Sequence, residues 1–480
     1  MSCGVACGLH STPLMEGRML IPIAKSLFAW DQLEDSPSIK TIREFLACVP
    51  DAELLRGLRE HRGKGRNDYP VHVLWGVVLL TIALRHPTFE GCMAELRRND
   101  QLRLLIGITD EDGVPPKWSL SRFLQVLGTE PHLGRLQECL NTMIQRLGVA
   151  VPDFGKDLAG DSSTLNARPA PGSPRVPADD GTKIELDEHG LPHPAGGRKE
   201  YTDDDGKVQK VLEWFGYKFH LLVDVKHEVV VAARLTSTKT ADCDALPDLV
   251  AQARANLPEG RIKTLAYDKA CDTQDAHQLL HDADIKPVIQ IRQLWKNQTE
   301  QMLPGHGAES NVVYDEQGTL YCYDTTTQPI VKHRMSYVGH EPAKGTLKYR
   351  CPAMHEGWSC PMSSICNAGK SYGKTVRVPQ EIDLRRFPAL PRATLKFERT
   401  YNGRTSVERV NSRLKLFWGS DDGTITGAPR FFGFMHALLI VHVAFATVLA
   451  SAPRHDGTLS KASLSPIARA LRAARTAPTT

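Results

Sequence analysis

The sequence has little that would carry it out of a cell or hold it in a membrane. Its first residues, Met1-Ser2-Cys3-Gly4-Val5-Ala6-Cys7, lack the basic start and apolar core of a secretory signal. With that signal missing, eleven cysteines in 480 residues fit a reducing cytoplasm better than a disulfide framework. Uninterrupted apolar runs of membrane length are missing too. Val73–Leu84 is too short to span a bilayer, and Phe431–Ala450 contains His436 and His442 and reads as a buried helix. A strong charge of one sign is also absent: the formal net charge of +4 says little by itself about partners. The expectation is a soluble, cytoplasmic protein.

What is present is ordinary globular composition, 41% hydrophobic and 24% charged, in a chain long enough for two or three domains. Residues 1–39 form an N-terminal segment without clear periodicity, in which Cys3, Cys7 and His10 read as incidental. Residues 40–150 read as a helical domain. Its pieces are an apolar face at Ile42, Phe45 and Leu46, then Val71–Leu84, Leu96–Ile106, Ser119–Leu127 and Leu133–Leu147. The cluster Arg56, Arg59, Arg62, Lys64 and Arg66, opposed within it only by Glu60, reads as a solvated face or as a DNA-contacting one. On the second reading, Ser119-Leu120-Ser121-Arg122-Phe123 opens a recognition helix and Arg122 contacts DNA.

Residues 151–291 carry the pattern of a sheet. Lys156–Leu165 reads as a strand with Asp161 near its end. Six prolines between Pro169 and Pro194, with Asp203-Asp204-Asp205 after them, predict an extended loop. Order returns at Trp214, where Tyr217, Phe219, Leu221 and Val223 alternate as a strand that turns at Lys226-His227-Glu228 into Val229–Leu235. Asp242 or Asp244 can cap a helix to about Ala255. Thr264–Asp268 and Ile285–Ile291 read as further strands around a helix at Thr273–Ala283, which makes a mixed sheet flanked by helices.

Residues 292–394 break that rhythm and read as a β-rich insertion, with short strands at Asn311–Tyr314 and Leu320–Tyr323. Cys351, His355, Cys360 and Cys366 within it are candidate zinc ligands, with Cys322 an alternative to His355. The spacing lacks the paired C-x2-C knuckles of a strong zinc signature. Trp295 and Trp358 could stack on a displaced base, or simply fill a core. Residues 395–450 return to the sheet-bearing domain and end on the helix Phe431–Ala450; residues 451–480 read as a loosely ordered basic tail.

The most informative stretch is Tyr401–Lys415. An Asn402-Gly403 turn leads into apolar positions at Val407, Val410, Leu414 and Phe417, which is helical spacing. At about 100° per residue Arg404, Glu408 and Lys415 share a flanking face. From Arg385 to Lys415 nine Lys/Arg oppose only Glu398 and Glu408, a local +7 that suits an anionic polymer. One carboxylate cannot hold a metal alone. Asp161 and Asp268, each near a strand end, could join Glu408 around two Mg²⁺ or Mn²⁺ ions about 3.5–4 Å apart, an arrangement suited to phosphodiester displacement. Asp157, Asp224, Asp272 and Asp275 are competitors that spacing does not exclude.

Tyr401, Arg404, Glu408 and Lys415 fit Y-x2-R-x3-E-x6-K at every position and resemble the signature of bacterial insertion-sequence DDE transposases. Ala266-Tyr267-Asp268-Lys269 is similar to that family's second-acid strand. Gly160-Asp161-Ser162-Ser163-Thr164 resembles its first-acid strand, although Ser-Ser-Thr follows the acid where a Gly-Thr pair is common. Gly216-Tyr217-Lys218-Phe219-His220 resembles its second strand. The resemblance implies an α/β, RNase H-like catalytic core and a two-ion site on Asp161, Asp268 and Glu408. DNA contacts are implied through Arg404 and Lys415, supported by Tyr401, with Lys218 and His220 on the strand beside the first acid. It further implies double-stranded DNA with terminal inverted repeats and a target DNA as substrates, nucleoid association, and a homodimer or larger assembly when two ends are joined. The alternatives are a catalytically silent DNA-binding descendant and a metal-dependent nuclease without strand transfer.

Overall fold

The computed structural model describes residues 37–64, 67–169, 184, 186–203, 207–296, 299–305, 310–368 and 370–451. Most of the N-terminal segment, Arg66, most of the Pro-rich stretch and the basic tail lie outside these residues.

The N-terminal block is helical, as the periodicity predicts: α1 (Pro37–Cys48), α2 (Ala52–Arg62), α3 (Val71–Ala83), α4 (Phe89–Arg98), α5 (Asp100–Leu105), α6 (Lys117–Leu127) and α7 (His132–Ala150). The run expected at Leu96–Ile106 is two helices. Asn99 divides them because its side-chain oxygen accepts from Leu102 N–H and caps α5. α3 is apolar around its whole circumference and is buried along its length, as such a helix must be.

The main sheet follows. Its elements are β1 (Asp157–Asn166), β2 (Ala195–Thr202), β3 (Val208–Asp224), β4 (Val230–Ser237), α8 (Asp242–Asn256), β5 (Thr264–Tyr267), α9 (Gln274–Asp282) and β6 (Lys286–Ile289). β1 runs antiparallel to β3 from Leu158↔Asp224 to Asn166↔Gly216, and β4 pairs with the other edge of that part of β3. On its far side β1 runs parallel to β5, and β5 parallel to β6. The sheet is therefore mixed. The long loop expected after Pro169 is shorter than composition suggested, because Ala195–Thr202 pairs with the first half of β3. Gly196 and Gly197 lie within this strand. A Cβ at Gly197 would stand 2.2 Å from the Trp214 ring, so this glycine lets the ring lie across the hairpin.

The insertion is β-rich as expected. It contains β7 (Glu300–Met302), β8 (Val312–Asp315), β9 (Leu320–Asp324), β10 (Val331–Arg334), β11 (Ser336–Glu341), β12 (Thr346–Arg350), the short helices α10 (Pro352–Glu356) and α11 (Ser363–Cys366), and β13 (Thr375–Pro379). These strands make a four-stranded and a three-stranded antiparallel sheet around their own core of Leu303, Val312, Tyr314, Leu347, Val378 and Phe387.

Three helices end the described residues: α12 (Leu395–Asn402), α13 (Thr405–Trp418) and α14 (Ala428–Ala450). α14 is long and apolar enough to cross a membrane by composition, yet most of it is buried inside the protein. It packs chiefly on α7, α6, α1 and α3, so the C-terminal helix fills the N-terminal bundle rather than only completing the sheet. One continuous apolar core consequently joins the bundle, the sheet and α13.

Candidate active site

α13 lies across β1 and β3 because Val407, Val410 and Leu414 form its buried stripe. The stripe ends on Trp418, which is buried, rather than on the expected Phe417, which is 38% exposed. The expected Asn-Gly turn is the joint between α12 and α13. Gly403 is right-handed there, and a Cβ on it would stand 2.8 Å from Val225 Cγ1, so close approach rather than a special φ explains the glycine.

Asp161 lies within β1, beyond the point where β5 stops pairing with it. Ala159 pairs with Ala266; continuing that register by two residues sets Asp161 level with Asp268, on the same face. Asp268 follows β5 and accepts a hydrogen bond from Lys269 N–H at 2.5 Å. From α13, the Arg404 guanidinium bridges two acids: Nη1 is 3.6 Å from Asp161 Oδ2 and Nη2 donates to Glu408 Oε1 at 3.0 Å. Tyr401 lies beside this group, 6.0 Å from Arg404 Cζ and stacked on Phe397.

The electrostatics fit a site that wants positive charge. Burial pushes the Asp161 carboxyl up to about 6, with the carboxylates of Asp242 and Asp268 adding to the effect. The Ser162 N–H and Arg404 oppose the rise without cancelling it. Arg404 is itself raised: burial disfavours its charge, and Asp161, Tyr401, Glu408 and Asp268 more than compensate.

The donor set is hard carboxylate oxygen, the kind that Mg²⁺ or Mn²⁺ takes. Arg404 already places a cation between two of the acids, so the residues fit such an ion by chemistry and by charge. They do not form a closed ligand cage: among the described residues, no three His, Cys, Asp or Glu side chains are grouped to hold a metal. The same holds for the expected zinc set of Cys351, His355, Cys360 and Cys366. Those three cysteines are free thiols, and His355 instead lines a cleft with Tyr401, Arg392 and Glu398. Adjacent small strands and α11 bring Cys322 into the electrostatic surroundings of Cys351, Cys360 and Cys366 without drawing a coordination shell around them.

The competing aspartates have structural partners. Asp157 accepts from Thr264 Oγ1 at 2.7 Å. Asp224 accepts from Gly155 N–H at 2.8 Å and from His227 N–H. Asp272 is enclosed by Arg385, Arg392 and His277, and Asp275 sits in the first turn of α9.

The other expected DNA contacts are placed as follows. Lys415 Nζ donates to the Thr164 carbonyl at 2.7 Å and lies 3.1 Å from Asp421 Oδ2, so it ties α13 to β1. Lys218 is half-buried, with Nζ 2.9 Å from Asp242 Oδ1. His220 is fully buried with Nε2 2.9 Å from Thr236 Oγ1, and it offers no surface to a phosphate. Arg122 is exposed on α6, its guanidinium 5.4 Å above the ring of Trp118, which is also exposed. Both line a cavity of about 490 Å³ with Arg62, His61 and Tyr69. The +7 run is largely engaged inside the protein: Arg385 and Arg392 on Asp272, Arg386 on Asp383, Arg409 and Arg413 on Glu228. Two residues near the site were missed, Asp242 and Asp421. The first was read only as a helix cap, although Ala241 takes the cap position.

Compared with known protein families, residues 171–444 match the family described as Transposase DDE domain. The match includes Asp268 and Glu408, and Asp161 lies just upstream of it. No curated protein matches the chain. Since that match covers more than half of the chain and contains the helix and strand end that carry two of the three acids, the protein belongs to the DDE transposase family.

Proposed function

We propose that the protein binds the ends of a DNA element and catalyses metal-dependent strand cleavage followed by strand transfer, with Asp161, Asp268 and Glu408 as its acids. The observation that carries this reading is the Arg404 bridge. A guanidinium held between Asp161 and Glu408, with Asp268 level with the first, marks one spot where three elements deliver charge to a face open to solvent. The strand order, in which an antiparallel β4-β3-β1 ribbon continues into parallel β5 and β6, supports an RNase H-like core.

Two Mg²⁺ or Mn²⁺ ions bound by the three carboxylates would supply the Lewis acidity that phosphodiester displacement needs. The chain's own groups orient the reaction. Arg404 can exchange its carboxylate partners for a phosphate oxygen, since it presents several N–H donors in one plane. Tyr401 limits where that guanidinium can swing. Lys415 holds β1 against α13, keeping Asp161 and Glu408 on facing elements. Trp118 and Arg122 offer a basic, aromatic-lined surface for the terminal repeats, and joining two ends requires two copies or more.

The test uses a supercoiled plasmid carrying the DNA that flanks the coding sequence on both sides. Wild-type protein with Mg²⁺ should release ends and join them to a target plasmid, and Glu408→Gln should do neither while still retarding the DNA. Nicks without joined products would favour hydrolysis alone, and full activity in the Glu408 variant would remove the assignment.

A further inference from the structure

On the opposite face of β1 from the three acids, a second polar group lies beneath the first turn of α8. Ser162 follows Asp161, so strand alternation turns it to this face, where its cross-strand neighbour is His220. Asp242, one of the two acids in the first turn of α8, pairs with Lys218 Nζ at 2.9 Å, and the Ser162 side chain is near enough to favour its carboxylate. His220 Nδ1 stands 3.5 Å from Asp242 Oδ1, and burial keeps this imidazole neutral by lowering it to about 4. The ring of Tyr267 occupies the space where a Cβ at Gly160 would sit, 2.1 Å from the ring edge.

His220 Nδ1 and the Tyr267 hydroxyl are buried beside Asp242, and neither makes an aligned hydrogen bond. A buried polar group left open is unfavourable by about 1–3 kcal/mol, so two together under one strand, next to a buried ion pair, are not explained by stability. They underlie the one segment whose direction decides where the Asp161 carboxylate points. At the other end of that segment Lys415 holds Thr164 and Asp421 accepts from Asn166, so β1 is fixed on both sides of the acid.

We propose that Asp242 is a positioning residue for the catalytic strand: through Ser162 it fixes the part of β1 that carries Asp161, while Lys218 holds the Asp242 carboxylate in place. Asp242 does not touch the reacting atoms, because it lies across the strand from them. The inference rests on the reading of Asp161 as a catalytic acid.

The experiment measures cleavage of the same plasmid by the full-length protein over a Mg²⁺ titration, with DNA retention measured in parallel. Asp242→Ala should lower the cleavage rate, or raise the Mg²⁺ needed for half-maximal rate, by about 10–100-fold, the range seen when a partner behind a ligand is removed. DNA retention should stay within about twofold. Asp242→Asn should recover most of the loss, because a carboxamide oxygen can accept from Ser162. Should Asp242→Ala fail to fold, Ser162→Ala removes only the hydroxyl and should shift rate or Mg²⁺ requirement the same way.

Wild-type rate and Mg²⁺ requirement in the variants would overturn the proposal. So would an Asp242→Asn protein as defective as Asp242→Ala, since that would mean the charge acts directly. Asp161→Asn is the control that separates the two readings. If it cleaves normally, the active-site assignment has failed; if it is inactive while Asp242→Ala is normal, only the positioning role has failed.

Discussion

Asp272 and Asp161 both stand near the ends or edges of core strands and both face arginine, but their surroundings differ in completeness. Asp272 is fully buried and receives Arg385 Nε at 2.7 Å, the Arg292 N–H at 2.7 Å and His277 Nε2 at 3.1 Å, with Arg392 Nη2 at 3.6 Å. Burial works against its charge, and these partners outweigh it, so its carboxyl is held below the ordinary range. Asp161 has Arg404 at 3.6 Å and other carboxylates nearby, and burial raises it to about 6. A carboxylate with every lone pair answered is structural. One held in deficit beside solvent is kept for a ligand that supplies the missing charge.

The largest expected difference between the two is in activity. Asp268→Asn or Glu408→Gln should reduce end cleavage by on the order of 10³-fold or more, since on the proposed function each removes a ligand whose ion contributes several kcal/mol to the transition state. Thermal unfolding midpoints should stay near wild type, because Glu408 is half-exposed and paired only with Arg404 among the described residues. A large fall in midpoint in either variant would place these acids with Asp272.

Asp272→Ala should do the reverse. Removing one member of a buried, paired set leaves Arg385 and Arg392 without a counter-charge, at about 3–5 kcal/mol. Urea unfolding would measure this directly. A variant as stable as wild type would break the contrast, and Arg385→Met made together with Asp272→Ala should recover part of the loss.

The sequence distinguishes these aspartates only through the pattern around them. Asp272 and Asp268 are close neighbours in the chain, and both follow the same short strand. What sets them apart is that Arg385 and Arg392 return from the end of the insertion to surround one and not the other, which no local spacing announces. The four positions from Tyr401 to Lys415 are legible because they lie within fifteen consecutive residues, although the α12–α13 joint divides them, and so is the strand end at Asp268. The role of α14 was not, since apolar text says that a helix is buried and not against what. The β2 hairpin was hidden for another reason: Gly197 is there to admit Trp214, and in isolation it reads as a loop.

A smaller effect sharpens the comparison from the stability side. A carboxyl raised in the folded state stabilises it fully below the unfolded value of 3.8, and that contribution is lost as pH rises through about 6. Asn does not titrate. With a chelator present at pH 7.5, Asp161→Asn should therefore be more stable than wild type by about 1–3 kcal/mol, and the difference should vanish below pH 4. Asp272, depressed in the folded state, stabilises above 3.8 and loses that contribution only as pH falls through its lower folded value. Equal stability of Asp161→Asn and wild type at pH 7.5 would mean that Asp161 is already satisfied.

The smallest effect concerns the cations. Of the nine between Arg385 and Lys415, Lys396 and Arg399 are exposed and have no ion pair among the described residues, whereas Arg409 and Arg413 both hold Glu228 across the fold. Unengaged cations release counterions by meeting phosphate without first giving up a partner. Lys396→Ala and Arg399→Ala should each lower the slope of log affinity against log salt for DNA by about 1, with the cleavage rate at saturating DNA unchanged. Arg409→Ala should leave the slope as it is and lower the unfolding midpoint instead, because what it loses is the contact that binds α13 to the β3–β4 turn. If Arg409→Ala changed the slope as much as Lys396→Ala, the division between internally engaged and DNA-facing charge would fail, and the +7 run would act on DNA as a whole.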